Sequence, residues 1–148
     1  MEICRWDESG LEVSDIVLLM RVVGDELPDR LSERVDVTEY TIKLVNKGSL
    51  YMVLGDEGVP VGVMGFYAND QETKTAYLSI FGLLPKVRGM GIGSKLMKIL
   101  ISECEKAGMN KVCLEVNREN SRAIACYEKV GFSVTFTGQV KIVMTANL

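Results

Sequence analysis

Hydrophobic residues recur along the chain with two different spacings, and the spacings predict where helices and strands lie. In residues 11–27 and 36–48, apolar side chains return every three or four positions, which indicates two amphipathic helices, the first ending near Pro28. The segments 91–107 and 121–130 have the same helical spacing. Residues of high β-propensity, many alternating with polar ones, predict strands at 2–6, 49–57, 60–70, 73–84, 111–117, 132–137 and 140–146.

The predicted elements follow one another in the order βααβββαβαββ. Turn residues at 56–60 and 69–73 join three successive strands, which predicts an antiparallel meander. A polar segment, 28–36, connects the first two helices. We therefore expect an α+β, or mixed α/β, fold with a single sheet, built as one domain over residues 1–148.

The composition is that of one globular domain. The chain has 148 residues, of which 47% are hydrophobic and 25% charged, enough for a sizeable core. No apolar run approaches the roughly 18 residues of a membrane span. The first ten residues lack the basic start and apolar stretch of a secretion signal, so we expect a cytoplasmic protein without membrane contact.

The residue types that are missing narrow the possible chemistry. The sequence contains no histidine, and its four cysteines form no CxxC pair. We therefore predict no metal site and expect the cysteines to be reduced core thiols. The absence of histidine excludes Ser–His and Cys–His nucleophile schemes. Any acid–base chemistry then falls to Asp, Glu, Lys, Tyr or Cys.

Charge is unevenly distributed along the chain. Residues 1–84 are net negative and residues 85–130 net positive, within a total of −3. This distribution favours one anionic ligand and one neutral or cationic ligand, although solvated surface charge would give the same pattern. A sequence pI of 5.1 makes nucleic acid a poor candidate partner.

A glycine-rich turn, with Gly89, Gly91 and Gly93, lies between a predicted strand and a predicted helix. The turn is neither a P-loop, which needs Gly-Lys-Ser/Thr, nor a dinucleotide fingerprint, which needs Gly or Ala where Ser94 or Leu96 stands. It still precedes a helix N-terminus, whose free N–H groups and positive dipole end favour an anion such as a pyrophosphate. The alternative interpretation is a tight strand-to-helix turn without a ligand.

Two motifs resemble those of one protein family. The pattern RxxGxG at residues 88–93 is similar to the acetyl-CoA signature of the GNAT superfamily of N-acetyltransferases. Downstream, NxxA at 120–123, then Tyr127 and GF at 131–132, is similar to a strand–helix unit of the same superfamily. The resemblance implies the GNAT fold, a single, largely antiparallel mixed sheet flanked by helices, with a splay between the fourth and fifth strands. It also implies acetyl-CoA as the cofactor and an amine as the acceptor.

The resemblance also assigns residues to the cofactor. In the GNAT fold, the pyrophosphate of coenzyme A lies on the backbone amides of the glycine turn, and the pantetheine arm pairs with the edge of the fourth strand. Gly82 is consistent with a bulge in that strand, where the splay would begin. The residues implied at the cofactor are Phe81, Leu83, Leu84, Arg88, Gly89, Met90, Gly91, Ile92, Gly93, Ser94, Asn120 and Tyr127.

The implied reaction is direct transfer of an acetyl group from a thioester to an amine in a ternary complex. An alkyl ammonium has a pKa of about 10.4, so at neutral pH a base or a water path must remove its proton. Glu115 and Tyr127 are similar in arrangement to the base and acid of GNAT proteins that acetylate the N-termini of ribosomal proteins. We predict these two roles for them, the alternatives being a strand-edge carboxylate and a packing aromatic. The predicted oxyanion donor is the backbone N–H of Leu83 or Leu84.

Acceptor specificity would lie in the first half of the chain. In a GNAT fold the polar segment 28–36 and the turn at 69–73 flank the acceptor mouth, so the candidate substrate-binding residues are Glu33, Arg34, Asp36, Tyr67 and Asp70. The acidity of this set suits an amine. The possible acceptors are an amino sugar, a nucleotide-linked sugar, a peptide N-terminus and a polyamine. The alternative function is a non-catalytic acyl-CoA sensor. Pairing through the last strands would permit a homodimer.

Overall fold

The computed structural model describes residues 1–26 and 30–148. The strands are β1 (Glu2–Arg5), β2 (Ser49–Leu54), β3 (Pro60–Tyr67), β4 (Thr75–Leu83), β5 (Lys111–Asn117), β6 (Ser133–Thr137) and β7 (Lys141–Asn147). The helices are α1 (Val13–Asp25), α2 (Leu31–Arg34), α3 (Val37–Lys47), α4 (Ile92–Lys106) and α5 (Ser121–Lys129). The predicted order is confirmed, with α2 as an extra single turn in the polar segment. The predicted helix end near Pro28 lies outside the described residues.

The strands form one sheet in the spatial order β1-β2-β3-β4-β5-β7-β6. All neighbouring strands are antiparallel except β4 and β5, which are parallel. These two pair only where Thr75 to Leu78 lie beside Lys111 to Leu114. Beyond that point they diverge, which confirms the predicted splay between the fourth and fifth strands.

A β-bulge at Ser79 lies where β4 leaves β5. Gly65 and Phe66, consecutive residues of β3, pair with Ile80 and Leu78, so Ser79 is the extra residue of β4. Ser79 and Ile80 therefore point to the same face of the sheet, and the alternation of side chains shifts by one position. Because a bulge increases the local bend and twist of a strand, it turns the second half of β4 away from its neighbour.

Gly82 has a packing role and does not form the predicted bulge. It pairs regularly with Val63 of β3, and a Cβ at this position would overlap the side chain of Val23 on α1. The missing side chain therefore lets α1 approach the backbone of β4 closely. The prediction of a bulge at Gly82 is wrong because the irregular register lies three residues earlier, at Ser79.

Two hydrophobic cores cover the two faces of the sheet. Helices α1, α2 and α3 pack on one face, where Ile16 and Leu44 are fully buried. Helices α4 and α5 cover the other face, where Leu96 and Leu100 are fully buried. All four cysteines are unpaired, but only Cys104 is a buried core thiol, and the other three are half-buried. Within the described residues, none of the helices has the length and apolar character that crossing a membrane requires.

The contact between Gly82 and Val23 yields a stability prediction. Gly82→Ala adds a methyl group where Val23 already lies, so we expect a loss of about 1–3 kcal/mol in the free energy of unfolding, measured by urea denaturation. In the double variant Gly82→Ala/Val23→Ala the space is restored, so the loss should be smaller than the sum of the two single losses. Strictly additive losses would contradict the contact.

Candidate active site

A cleft opens in the sheet where β4 and β5 diverge. It contains about 730 Å³ of empty space, its open mouth included. The walls are the diverging halves of the two strands, and two groups of residues border the ends of the cleft. We call the end bordered by Asn120, Ala123 and Tyr127 the α5 end, and the end bordered by Leu31, Arg34, Tyr77 and Ser79 the α2 end. The cleft therefore connects the two faces of the sheet.

The edge of β4 that faces the cleft carries backbone groups that β5 does not cover. The N–H of Leu84 donates to the carbonyl oxygen of Val61 in β3 at 2.8 Å. Because successive backbone groups of a strand point to opposite sides, the N–H groups of Leu83 and Phe81 point toward the gap. Of the two predicted oxyanion donors, the Leu84 amide is already engaged, so Leu83 alone stays a candidate.

The turn before α4 presents an open helix N-terminus. Gly89 and Gly91 have φ angles of 75° and 79°, which favour glycine, and no atom lies within 4 Å of where their Cβ atoms would stand. Met90 and Ser94 are exposed beside them, whereas Ile92 is buried in the core. Among the described helices of eight or more residues, α4 alone lacks both a capping side chain and an acidic residue in its first turn. Its first N–H groups and positive dipole end therefore fit an anionic group such as a pyrophosphate.

Gly93 and Arg88 belong to the same motif but serve packing and positioning. A Cβ at Gly93 would lie 3.3 Å from Cζ of Phe81, so glycine lets α4 approach the cleft edge of β4. Arg88 donates from Nε to the carbonyl oxygen of Leu83 at 3.1 Å and pairs with Glu26 at 2.7 Å. The Arg88 side chain thus holds the turn against the ends of β4 and α1.

Tyr127 reaches the α5 end of the cleft from α5. The residue is 7% exposed, and its ring lies 5.9 Å from the Phe81 ring and 5.8 Å from the Phe132 ring. Burial raises the pKa of its hydroxyl above the ordinary value, so the phenol stays protonated. Among the described residues the hydroxyl has no hydrogen-bond partner. It is therefore a donor that a molecule in the cleft can use.

Asn120 lies at the N-terminus of α5 and borders the same end of the cleft. Its side-chain oxygen accepts from the N–H of Ala123 at 3.3 Å, so Asn120 is the N-cap of the helix. The cap uses the oxygen and leaves the side-chain NH₂ group as a donor. The spacing NxxA is thus explained locally by helix capping, while the amide remains suited to bind a ligand.

Glu115 lies on the opposite face of the sheet from Tyr127. Its neighbours in β5, Leu114 and Val116, are buried in the core against α4, so the alternation of the strand directs Glu115 to the α1–α3 face. Its carboxylate is half-exposed and lies 3.9 Å from Nζ of Lys141 in β7. Glu115 therefore borders the α2 end of the cleft, and Tyr127 borders the α5 end.

Two of the predicted substrate residues have structural roles elsewhere. Asp36 is the N-cap of α3 and accepts from the N–H of Glu39 at 3.0 Å. Asp70 accepts from the backbone N–H of Thr73 at 3.0 Å, and this hydrogen bond lowers the pKa of its carboxyl. Neither carboxylate lines the cleft. Both stabilise local backbone, a role that Asp commonly has at helix starts and in turns.

The other three predicted substrate residues differ in position. Arg34 lines the α2 end of the cleft. Glu33, its neighbour, is exposed and pairs with Arg30 at 3.5 Å. Tyr67 lies at the end of β3, with the Lys43 ammonium 5.5 Å from its ring centroid. Of the five, Arg34 alone borders the cleft.

Several polar residues at the α2 end were not predicted from the sequence, among them Ser79, which lines the cleft, and Tyr40, which lies behind it. The hydroxyl of Tyr40 hydrogen-bonds to that of Ser79 at 2.6 Å, and burial raises the pKa of Tyr40 to about 12. Tyr77 and Lys141 also line the cleft. A lone serine inside an apolar strand was a signal for Ser79, but Lys141 reaches the site only because β7 pairs with β5, which no local pattern reveals.

Comparisons with known proteins agree with this geometry. Residues 18–132 match the family model for the acetyltransferase (GNAT) family. Among solved structures, the PaiA N-acetyltransferase of Thermoplasma acidophilum, determined in complex with coenzyme A, superposes with a TM-score of 0.76. The superposition covers 100% of both chains at 17% sequence identity, which shows a shared fold.

Curated relatives point to the same family. N-alpha-acetyltransferase 50 of Danio rerio is 34% identical over 70 residues, 47% of this chain and 42% of the relative. The peptidyl-lysine N-acetyltransferase YjaB of Salmonella typhimurium is 26% identical over 131 residues, 87% of this chain and 82% of the relative. The match thus spans less than half the length of the zebrafish protein. Because the family model covers most of the sequence and the fold agrees, the chain belongs to the GNAT acetyltransferase family.

Proposed function

We propose that the chain is an N-acetyltransferase that transfers an acetyl group from acetyl-CoA to a primary amine in the cleft between β4 and β5. The observation that carries the proposal is that an uncovered strand edge and the hydroxyl of Tyr127 border one gap in the sheet, and that the open N-terminus of α4 packs beside Phe81 at the edge of this gap. When bound, acetyl-CoA supplies a thioester carbonyl carbon, to which the amine nitrogen bonds as the carbon–sulfur bond breaks.

The groups that bind the coenzyme are mostly backbone. The free N–H groups at the start of α4 bind the pyrophosphate, because Gly89 and Gly91 leave its approach open. The gap-facing backbone groups of Phe81 hold the pantetheine arm as a neighbouring strand would. The Leu83 N–H serves as the donor for the carbonyl oxygen that becomes negative during attack. The side-chain amide of Asn120 adds a donor at the α5 end.

Tyr127 stabilises the sulfur that leaves. A free thiol has a pKa of about 8.5 and a free phenol one of about 10. Because burial raises the pKa of Tyr127 further, the phenol donates a hydrogen bond to the departing thiolate and keeps most of its own proton. This role needs the hydroxyl and not only the ring.

Glu115 receives the proton of the acceptor at the other end of the cleft. Its half-exposed carboxylate lies at the α2 end, where an amine enters, and accepts the proton directly or through a water molecule. From there the proton passes to solvent. Tyr127, the hydrogen-bond donor to the leaving sulfur, and Glu115, the base, therefore lie on opposite faces of the sheet.

The central experiment measures coenzyme binding and turnover on the same protein. Acetyl-CoA at 100 times its dissociation constant should add about 2.7 kcal/mol to the free energy of unfolding and raise the Tm, whereas ATP and NAD should not do so comparably. Adding a panel of primary amines should release free CoA thiol. Equal shifts with all three nucleotides would contradict a coenzyme A site. Strong acetyl-CoA binding with no thiol release for any amine would identify the acyl-CoA sensor instead.

A charge placed at the start of α4 tests the pyrophosphate site. Ser94→Glu puts a carboxylate in the first turn, which suits the helix dipole but repels an anion, so we expect at least a roughly tenfold loss of acetyl-CoA affinity in calorimetry without loss of Tm. Ser102→Glu makes the same charge change on an exposed position of α4 two turns later and should leave the affinity unchanged. Equal affinities in the two variants would exclude the α4 N-terminus as the anion site.

Removing one oxygen tests Tyr127. Tyr127→Phe keeps the ring contacts with Phe81 and Phe132, so acetyl-CoA should bind normally while kcat falls by roughly 10²-fold. Because the raised pKa keeps the hydroxyl protonated, the loss should be constant from neutral pH up to the ordinary phenol pKa of about 10. Full activity of the variant would assign Tyr127 to packing alone.

The matched variant at the other end of the cleft is Glu115→Gln. Its rate loss should be largest at neutral pH and shrink as the pH approaches the pKa of the acceptor amine, because a neutral amine needs no base. The measurement is a pH–rate profile at saturating acetyl-CoA. A loss that does not change with pH would remove Glu115 as the base.

A further inference from the structure

Two hydroxyl groups share a hydrogen bond at the α2 end of the cleft. Oγ of Ser79 lies 2.6 Å from the phenol oxygen of Tyr40. Ser79 lines the cleft, whereas Tyr40 belongs to α3 and lies behind it. Among the described residues, neither hydroxyl has a second hydrogen-bond partner. The contact therefore joins a phenol behind the cleft to a serine hydroxyl that a molecule in the cleft can reach.

The bulge in β4 brings the Ser79 hydroxyl to this place. Ser79 is the extra residue of the strand, so it faces the same side of the sheet as Ile80, where α3 packs. In a regular strand, two consecutive side chains would point to opposite sides. The bulge thus sets the hydroxyl between Tyr40 and the cleft, just beyond the last residue pair of β4 and β5.

The surroundings of the pair decide which hydroxyl donates. Each group has one hydrogen, and one of the two hydrogens lies between the oxygens. If Ser79 donated, the phenol hydrogen would be left behind the cleft with no acceptor among the described residues, and an unsatisfied buried donor is costly. Burial raises the pKa of Tyr40 to about 12, so the phenol keeps its proton near neutral pH. With Tyr40 as the donor, the hydrogen of Ser79 can turn to the cleft.

A hydroxyl held in this way needs an acceptor atom in the cleft. The reacting nitrogen does not provide one, because an ammonium has no lone pair and the lone pair of a neutral amine attacks the thioester. An oxygen atom elsewhere in the acceptor molecule does provide one, whether it belongs to a hydroxyl or to an amide carbonyl group.

We propose that Ser79 determines acceptor specificity: its hydroxyl, oriented by Tyr40, donates a hydrogen bond to an oxygen atom that the acceptor carries near its amine. The inference rests on the proposed function and narrows its substrate class to amines with such a hydroxyl or carbonyl oxygen. Ser79 contacts the acceptor, and Tyr40 is a positioning residue that acts through Ser79. An analogue without the oxygen is disfavoured because it leaves the serine donor unpaired.

The test compares matched acceptors with and without the oxygen. Propylamine has a methyl group where ethanolamine has its hydroxyl, and this pair forms the hydroxyl arm. In the carbonyl arm, 2-methylallylamine has a methylene and a methyl group where glycinamide has its carbonyl oxygen and amide nitrogen. Calorimetry on the CoA-saturated protein gives the affinity of each amine, and thiol release from acetyl-CoA gives its kcat/KM.

The oxygen preference is the ratio of these values within one arm, and it is compared between proteins. Ser79→Ala should lower this ratio about three- to tenfold in at least one arm, the usual scale for one neutral hydrogen bond. The arm in which it falls identifies the group that carries the oxygen. Differences in basicity between the amines cancel, because they are the same for both proteins. Ser79→Thr keeps a hydroxyl and should retain part of the preference.

Tyr40→Phe tests the positioning role. The variant keeps the ring but removes the donor to Ser79, so the oxygen preference should fall in part. In the Ser79→Ala background the same change should lower the preference no further, because Tyr40 acts through Ser79. The control is Thr145→Val, which removes a hydroxyl–hydroxyl hydrogen bond of 3.0 Å to Thr135 away from the cleft. It should leave the preference intact, whatever it does to the Tm.

The outcomes separate this inference from a structural role and from the proposed function. If the hydrogen bond only anchors α3 to the bulge, Ser79→Ala lowers the Tm and affects all four amines alike. An unchanged preference in this variant overturns the inference, even when the amines are acetylated and the transferase proposal stands. Absence of binding by both ethanolamine and glycinamide at millimolar concentration also overturns it. A preference that depends on Ser79 in calorimetry, without thiol release from any amine, supports the subsite and contradicts the transferase.

Discussion

Hydrogen bonding between β4 and β5 ends after four residue pairs, and the geometry of the cleft follows from that limit. Two parallel strands paired along their whole length would satisfy each other's backbone groups and leave no space between them. Here the second half of β4 instead offers the N–H groups of Phe81 and Leu83 to a gap. Unpaired backbone donors are costly when buried away from water, so the gap is a site that a ligand can complete.

The two cores keep the gap open by holding its walls from opposite sides. Helices α4 and α5 fix Tyr127 and the open α4 N-terminus on one face, and α1 with α2 fixes Arg34 on the other. Glycine allows a close contact on each face: Gly93 lets α4 approach Phe81, and Gly24 lets Leu31 of α2 pack against α1. The residues on both faces of the cleft are thus positioned by packing contacts that do not themselves touch a reactant.

The sequence predicted features whose causes are local, and it failed where the cause is long-range. Helix and strand order, the glycine turn and the family motif all depend on residues close in sequence. The bulge could not be placed, because its position is set by the register of β3 against β4. Asp36, one of the predicted substrate residues, caps a helix and does not line the cleft, and a sequence does not show whether such a carboxylate is already used as a cap. Lys141 was not predicted because it reaches the cleft only through the pairing of β7 with β5, which no local sequence pattern shows.

The extra residue at Ser79 shifts the alternation of side chains along β4 by one position. Leu78 and Phe81 face the same core although they are three positions apart, because Ser79 and Ile80 share the opposite face. Deleting Ser79 would restore regular alternation and leave Ile80 and Phe81 on their present faces, but it would remove the bulge that bends β4 away from β5. Surface loops absorb insertions and deletions readily. At the bulge of β4, the loss of one residue would instead change the shape of the cleft while both cores keep their side chains.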